Sequence, residues 1–367
     1  MTAIESIHAD HGATFGQRGD RTIVEHFGRP ERAHRAVRNG VGLFEPAYGV
    51  VVVEGDDRLE YVDNVVSNRV PEEDGRGCYA LVLDPQGAIQ VDLYVYNADE
   101  RLLLFTPPAN AEPLAEEWSE KVFIQDVEIR LATDEYAIFG VHGPNATEKV
   151  ASVLNGAASP DERYSFVRGS MGDDGVTVVR TDALAGEESY EVVCGADAAA
   201  SVYDVLETQG VNAAPFGYRT FESLALEAGS PLFETELEGT VPNVLGLRNA
   251  LDFEKGCYVG QEVVSRVENR GQPSRRLVGL TLGENDEGVP VPESDAAVFD
   301  GDATVGEVTR AGESPLLESV IALAVVDYGL ENGDLTVRID GEEIPATVTE
   351  LPFVAGSDRS DRLPRYE

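Results

Sequence analysis

One acidic side chain interrupts the apolar strand pattern Ile89–Tyr96, and a carboxylate in such a place can bind a ligand or take up a proton. Because successive side chains of a strand point to opposite faces, Asp92 shares its face with Tyr94 and Tyr96. This face either lines a cavity or lies in water, as most acidic strand residues do. The turn sequence DPQG precedes the strand and predicts a hairpin with residues 79–83.

A second carboxylate, Glu191, stands in an apolar strand pattern between Tyr190 and Val192. A buried carboxylate needs hydrogen-bond donors or a cation. A ligand with two adjacent N–H groups would satisfy it in a bidentate manner. The alternative is an edge strand whose Glu191 side chain lies in water.

The segment KGCYVGQE brings a lysine, a cysteine and two glycines together over residues 255–262. Gly256 and Gly260 permit tight backbone turns. Cys257 lies close to Lys255 and to a possible helix start, and both features would favour a thiolate. An isolated cysteine is, however, more often a small residue of the core.

The elements that must hold these residues follow from the hydrophobic pattern. Helices are predicted for 29–39, which ends at Gly40, and for 198–209. A wholly apolar run, 136–141, predicts a buried strand. From about residue 276 the sequence changes to short strand patterns separated by glycine and proline, which predicts a small closed all-β module.

The charge balance is unusual for a chain of 367 residues. It contains 67 Asp and Glu against 28 Lys and Arg, a formal net charge of −39. Such a charge disfavours binding to nucleic acid or to an anionic membrane. Molar salt would screen the self-repulsion, since the Debye length falls to about 3 Å at 1 M. The composition therefore predicts a halophilic source, with an acidic mesophilic protein as the alternative.

Other classes of protein are disfavoured by the sequence. Its apolar runs are far shorter than the ~18 residues of a membrane span, and the first residues lack the apolar core of a signal peptide. Three widely spaced cysteines and five histidines show no metal-ligand spacing. We expect a cytoplasmic protein with no metal, no nucleic-acid partner and no membrane partner.

Taken together, the three segments resemble the glycine-cleavage T proteins (aminomethyltransferases) and their YgfZ-type folate-binding relatives. The resemblance extends over nearly the whole chain, from HGATF at residue 11 to VGEVTR at residue 305. The segment KGCYVGQE matches the YgfZ signature, whereas T proteins have no cysteine there.

The resemblance implies an α+β fold, a three-lobed cloverleaf with a C-terminal antiparallel β-barrel. It implies a folate-binding region of two interleaved lobes over residues 1–274, a barrel over 275–356 and a loose tail over 357–367. A central hole between the lobes would hold tetrahydrofolate.

The resemblance also implies roles for single residues. Asp92 would lie near the reactive folate nitrogens as a catalytic group, and Glu191 would bind the pterin ring. Tyr79 and Tyr190 would also contact folate. Cys257 would be a catalytic thiol, the one linked to iron–sulfur enzymes in YgfZ-type proteins. The anionic folate tail should meet the basic cluster that contains Arg266 and Arg270, unless these arginines form surface ion pairs.

Two functions follow from the resemblance, and passive ligand binding is a third possibility. The first is a YgfZ-type protein that supports the assembly or repair of iron–sulfur client enzymes. The alternative is an aminomethyltransferase that takes a one-carbon unit from a lipoyl carrier (H) protein, or from another methylamine donor, to tetrahydrofolate. Departures from the T-protein pattern favour the first: only one of two adjacent acids survives, at Asp92, and a helix over 220–225 lacks two arginines.

Overall fold

The computed structural model describes residues 2–283, 288–330 and 335–366. Its strands are β1 (Thr14–Arg18), β2 (Arg21–His26), β3 (Gly42–Phe44), β4 (Gly49–Glu54), β5 (Arg76–Leu83), β6 (Ile89–Asn97), β7 (Arg101–Thr106), β8 (Glu128–Leu131), β9 (Tyr136–His142), β10 (Phe166–Met171), β11 (Asp174–Arg180), β12 (Ser189–Gly195), β13 (Ala214–Pro215), β14 (Arg275–Leu282), β15 (Ala297–Asp300), β16 (Ala303–Ser314), β17 (Ser319–Asp327), β18 (Leu335–Ile339) and β19 (Glu342–Thr349). Its α-helices are α1 (Glu5–Asp10), α2 (Pro30–Asn39), α3 (Arg58–Val65), α4 (Ala111–Glu120), α5 (Ala146–Val153), α6 (Ala199–Thr208), α7 (Tyr218–Glu227), α8 (Pro242–Leu245) and α9 (Gln261–Arg270).

Three sheets form the body of the molecule. The first is antiparallel, in the order β5-β6-β7-β4-β8. The second has the order β10-β11-β12-β9-β3-β13 and takes β3 from the chain before the first sheet. The third is a closed barrel, β14-β17-β16-β15-β18-β19, in which β19 pairs back to β14. The predicted α+β class with a C-terminal antiparallel barrel is confirmed.

Strand β4 shows why the first sheet carries so many apolar residues. Val51 and Val53 pack on Trp118 of α4, whereas Val50 and Val52 lie in the core on the other face. A strand that is covered on both faces has a continuous run of apolar residues instead of alternating apolar and polar residues.

One hydrophobic core joins the three sheets. It contains Tyr79 and Tyr94 of the first sheet, Val193 of the second and Leu277 and Ile321 of the barrel. Side chains from all three sheets thus contribute to one interior region.

Most of the elements expected from the sequence are present. Strands β5 and β6 form the hairpin, with Leu81 opposite Asp92. The predicted helices appear as α2 and α6, and the buried strand as β9. The sequence pattern missed β15, which is only four residues long.

Contrary to the expectation of a loose tail, residues 357–366 pack against the body of the protein. Ser360 and Arg362 are buried, and the hydroxyl of Ser360 donates a hydrogen bond to the carboxylate of Asp182 (2.7 Å). Asp358 pairs with Arg163 (2.9 Å) and Arg180 (2.7 Å). A polar segment can pack in this way because its side chains pair with charged groups of β11, of the loop between β11 and β12, and of the segment before β10.

Within the described ranges, no helix combines the length and the apolar character that crossing a bilayer requires.

Candidate functional site

Strand β6 places Asp92 in the shared core. The apolar residues on its other face, 91, 93 and 95, pack in the core of the first sheet beneath α3 and α4. Tyr94 and Tyr96 lie with Asp92 on the face toward the second sheet and the barrel. The alternation seen in the sequence is therefore confirmed, and Asp92 is buried rather than exposed to water.

A buried ion pair holds the Asp92 carboxylate. Its Oδ2 lies 2.7 Å from Nη2 of Arg362, and the two side chains are 6% and 5% exposed. The hydroxyl of Tyr79 donates a longer hydrogen bond to the same oxygen (3.4 Å). Burial raises the pKa of Asp92, and the Arg362 guanidinium opposes that rise. Asp92 is thus a carboxylate whose charge depends on one cation.

Aromatic rings orient Arg362. Its guanidinium lies over the ring of Tyr79, 4.5 Å from the centroid, and donates a hydrogen bond to the hydroxyl of Tyr94 (2.8 Å). Asp182 anchors the preceding tail residues through Ser360 and the main-chain N–H of Asp361 (2.9 Å). The segment that carries Arg362 is therefore fixed directly before the ion pair.

Strand β12 brings Glu191 to the same core from the second sheet. The hydroxyl of Tyr48 donates a hydrogen bond to Oε1 of Glu191 (2.7 Å), while Oε2 is buried without such a partner among the described residues. Burial raises the pKa of Glu191 to about 7, and the bond from Tyr48 limits the rise. This carboxyl group therefore titrates near neutral pH.

An aromatic contact links the two carboxylates. The ring of Tyr48 lies edge-on to that of Tyr94, with centroids 6.3 Å apart, and Tyr94 in turn accepts the hydrogen bond from Arg362. Two carboxylates that are distant in the chain thus lie in one interior region, as the sequence-based hypothesis requires.

A cavity of about 100 Å³ opens beside this cluster. Asp92 and Arg362 belong to its wall, together with the aromatic residues Phe44, Tyr48, Tyr94, Phe105, Tyr218, Phe221 and Phe233. Arg18 and Glu234 lie at its half-exposed end. Larger clefts of about 650 and 990 Å³ lie elsewhere and contain neither Asp92 nor Arg362.

Not every predicted residue belongs to this site. Tyr79 is buried against Arg362. Tyr190 points to the opposite face of β12 from Glu191, into the core of the second sheet, where its hydroxyl contacts the hydroxyl of Thr147 (2.9 Å). Tyr190 is therefore not among the described residues of the cavity wall, and the structure does not bring it to Glu191 as predicted.

The cysteine segment has a structural role. The ammonium of Lys255 donates to the main-chain oxygens of Asp63 (2.5 Å), Val66 (3.1 Å) and Asn68 (2.8 Å), so it does not serve the thiol. Cys257 is exposed and does not belong to the described lining of the cavity. The predicted catalytic thiol is therefore not part of this site.

Gly260 supports the hairpin that carries Asp92. Its φ is +80°, and a Cβ there would lie 2.6 Å from the main-chain oxygen of Asp84 in the turn between β5 and β6. The distinctive glycine of this segment thus allows close packing against that turn.

The predicted basic cluster does not meet the cavity as expected. Arg266 is exposed on α9 and is not among the described residues of the cavity wall. The side chain of Arg270 lies outside the described part of the structure. Sequence reasoning missed Arg18, Tyr48 and Arg362, and the one available signal was indirect: a buried Asp92 must have a counter-charge.

The GCVT N-terminal domain family matches residues 4–255, and the glycine cleavage T-protein C-terminal barrel domain matches residues 275–355. The chain is 28% identical to an aminomethyltransferase of Listeria innocua over 96% of this chain and 97% of the relative. It is 30% identical to an aminomethyltransferase of Streptomyces coelicolor, with 96% of each chain covered.

A solved structure has a similar fold. The glycine cleavage system aminomethyltransferase T from Bartonella henselae superposes with a TM-score of 0.84 at 21% identity, covering 98% of this chain and 99% of that one. At this identity the likeness establishes the fold.

Proposed function

The chain belongs to the glycine-cleavage T-protein family, and from this premise we propose that it is an aminomethyltransferase that uses tetrahydrofolate as acceptor. In the net reaction, a thioether-bound aminomethyl group gives up its carbon to two folate nitrogens. The C–S and C–N bonds break, the sulfur leaves as a thiol and the amine as ammonia. The two protons lost by the folate nitrogens are taken up by these leaving groups.

The alternative, iron–sulfur enzyme maintenance, has less support. It depends on the resemblance at Cys257, which is exposed and outside the described lining of the cavity. The similar proteins named above are aminomethyltransferases, and two of them match nearly the full chain at 28% and 30% identity. We therefore favour aminomethyl transfer over the iron–sulfur role that the sequence first favoured.

The residues present fit a reduced pterin. The cavity has aromatic walls, as a flat heterocycle requires. Two buried polar atoms here lack a hydrogen-bond partner among the described residues: Nε of Arg362, a lining residue, and Oε2 of Glu191, whose other carboxylate oxygen accepts a hydrogen bond from the lining residue Tyr48. Native proteins rarely leave such atoms unsatisfied, so they are candidates to bind the polar edge of the ring. Glu191 is not itself a lining residue and would reach the ring past Tyr48.

Asp92 is the candidate proton acceptor. When bound, the pterin supplies the nucleophilic nitrogen. Among the described residues that line the cavity, Asp92 is the buried carboxylate, and it can take up a proton. Burial raises its pKa, which makes it a stronger base than a carboxylate in water. Arg362 keeps it ionised before the proton moves. This buried pair on the cavity wall is the observation that carries the proposal.

The donor that we propose is the lipoyl carrier (H) protein of the same system. Its aminomethyl group would have to reach Asp92 from the half-exposed end of the cavity, where Pro107 and Pro108 form part of the wall.

The test is transfer from an aminomethylated lipoyl carrier protein to tetrahydrofolate in molar KCl, with ammonia and the folate product both measured. We expect wild type to turn over and Asp92→Asn to lose about 10²–10⁴-fold in kcat, with folate affinity changed much less. Cys257→Ala is the matched control and should keep wild-type activity.

Two results would contradict the proposal. One is a wild-type protein that binds no reduced folate; the other is an Asp92→Asn variant that transfers at the wild-type rate. A loss of activity in Cys257→Ala would instead favour the thiol-dependent alternative.

A further inference from the structure

Two basic side chains line the central cavity among the described residues, and they differ in surroundings. Arg362 lies at the inner end in the ion pair with Asp92, and both side chains are almost fully buried. Arg18, the last residue of β1, lies at the outer end and is 16% exposed.

The guanidinium of Arg18 is held in place by an aromatic ring. It lies 4.4 Å from the ring centroid of Tyr218, whose hydroxyl oxygen accepts a hydrogen bond from the main-chain N–H of Ala47 (2.7 Å). A cation over an aromatic face is attracted by the ring and keeps its orientation. The planar donor fork of Arg18 is therefore fixed before any ligand arrives.

Two internal carboxylates occupy this fork. Nε of Arg18 donates to Glu234 (2.9 Å), and Nη2 donates to Glu222 of α7 (3.1 Å). Both glutamate side chains are 44% exposed. They can rotate into water without leaving a buried charge behind, and ion pairs with exposed partners contribute little to stability.

The pair at the inner end cannot exchange in this way. Removing Arg362 from Asp92 would leave a carboxylate buried without compensation, which is strongly unfavourable. Among the described cavity residues, Arg18 is thus the cation that can give up its internal partners for an anionic ligand group.

We infer that Arg18 is a specificity-determining residue that binds a carboxylate of the benzoylglutamate tail of tetrahydrofolate. Glu222 and Glu234 hold the guanidinium until the ligand carboxylate replaces one of them. This inference rests on the proposed function, which puts the pterin at the inner end beside Asp92 and Arg362. It replaces the sequence-based assignment of the tail to Arg266 and Arg270.

The test compares two ligands, tetrahydrofolate and the tail-free 6-methyltetrahydropterin, by equilibrium titration in molar KCl. For Arg18→Gln we expect affinity for tetrahydrofolate to fall about tenfold or more, the size of a lost charge-assisted contact, with no change for the tail-free pterin. Arg266→Gln is the matched control and should bind both ligands as wild type does.

A second pair of substitutions keeps the test decisive if Arg18→Gln does not fold. In the double variant Glu222→Gln/Glu234→Gln, the internal competitors lose their charge and Arg18 stays. We expect tighter binding of tetrahydrofolate and unchanged binding of the tail-free pterin.

The outcomes separate the two proposals. Equal weakening of both ligands in Arg18→Gln, or unchanged binding of both, would overturn the role of Arg18 and leave the proposed function standing. So would a double variant whose affinity for tetrahydrofolate does not rise. A wild-type protein that binds neither ligand would overturn the proposed function and this inference with it.

Discussion

Arg362→Met removes the cation from the buried pair with Asp92 while keeping a side chain of similar length. The variant loses the 2.7 Å contact to Asp92, the hydrogen bond to Tyr94 and the cation–π contact to Tyr79. Breaking a buried ion pair by removing one partner costs about 3–5 kcal/mol. We expect a loss of this size in the free energy of unfolding at neutral pH.

The loss should depend on pH. Without Arg362, the folded-state pKa of Asp92 rises further above its unfolded value of about 3.9. Below that unfolded value the carboxyl group is protonated in both states, so the missing cation costs little. As pH rises, the unfolded state ionises first and gains stability relative to the folded state. The difference between wild type and Arg362→Met should therefore grow from acid to neutral pH.

Urea unfolding at fixed molar KCl, at pH 5 and pH 8, measures this difference. A double-mutant cycle with Asp92→Asn isolates the pair, and replacing both partners should recover much of the loss because no charge is left unpaired. Arg266→Met on the exposed face of α9 is the control and should change stability by no more than about 0.5 kcal/mol. A loss below about 1 kcal/mol with no coupling to Asp92→Asn would refute the reasoning.

Three further predictions follow from the structure and the charge. Because the pKa of Glu191 is raised to about 7, pterin binding to its carboxylate should weaken about tenfold per pH unit below 7, and Glu191→Gln should bind more weakly with no such slope; titrations from pH 5.5 to 8.5 check this. Gly260→Ala should lower the free energy of unfolding by about 1–3 kcal/mol, since its Cβ would meet the oxygen of Asp84 at 2.6 Å, whereas Gly256→Ala has no neighbour within 4 Å and should be nearly neutral in the same urea assay. With a net charge of −39, dilution from 3 M KCl to about 0.1 M should lower the Tm strongly; a Tm that stays constant would count against the halophilic interpretation.

The period-two alternation assigned Asp92 and Glu191 to defined faces of their strands but left open whether those faces were buried or lay in water. The structure shows both side chains buried at the core shared by the three sheets. The same rule placed Tyr190 on the opposite face of its strand, and the assignment of Tyr190 to the ligand came from the resemblance instead. The face that a side chain occupies depends only on its position along the strand, so the sequence alone predicts it.

The counter-charge to Asp92 could not be predicted from local patterns. Residues 357–366 are polar and aperiodic, which is typical of a loose segment, yet they are ordered by contacts with Asp182, Arg163 and Arg180. Such contacts join residues far apart in sequence, and no spacing rule encodes them. The sequence did not indicate Arg18 for the same reason. Its guanidinium is positioned by Glu222 of α7 and by Glu234 in the segment after α7, both more than 200 residues away in the chain.

The signature around Cys257 misdirected the functional interpretation. Its glycines and lysine are explained by packing: Gly260 meets the hairpin turn, and Lys255 binds three main-chain oxygens at the end of α3 and just beyond it. A motif can therefore be specific in sequence and still act through architecture rather than through chemistry.

The distance along the chain between the partners of the inner ion pair has a consequence for synthesis. Asp92 and Arg362 are 270 residues apart, and the whole barrel is translated between them. At about 5–20 residues per second, the ribosome needs roughly 13–54 s to cover that interval. During this time the emerging first sheet must keep Asp92 hydrated or protonated, which delays the final closure of its interior until the barrel has been made.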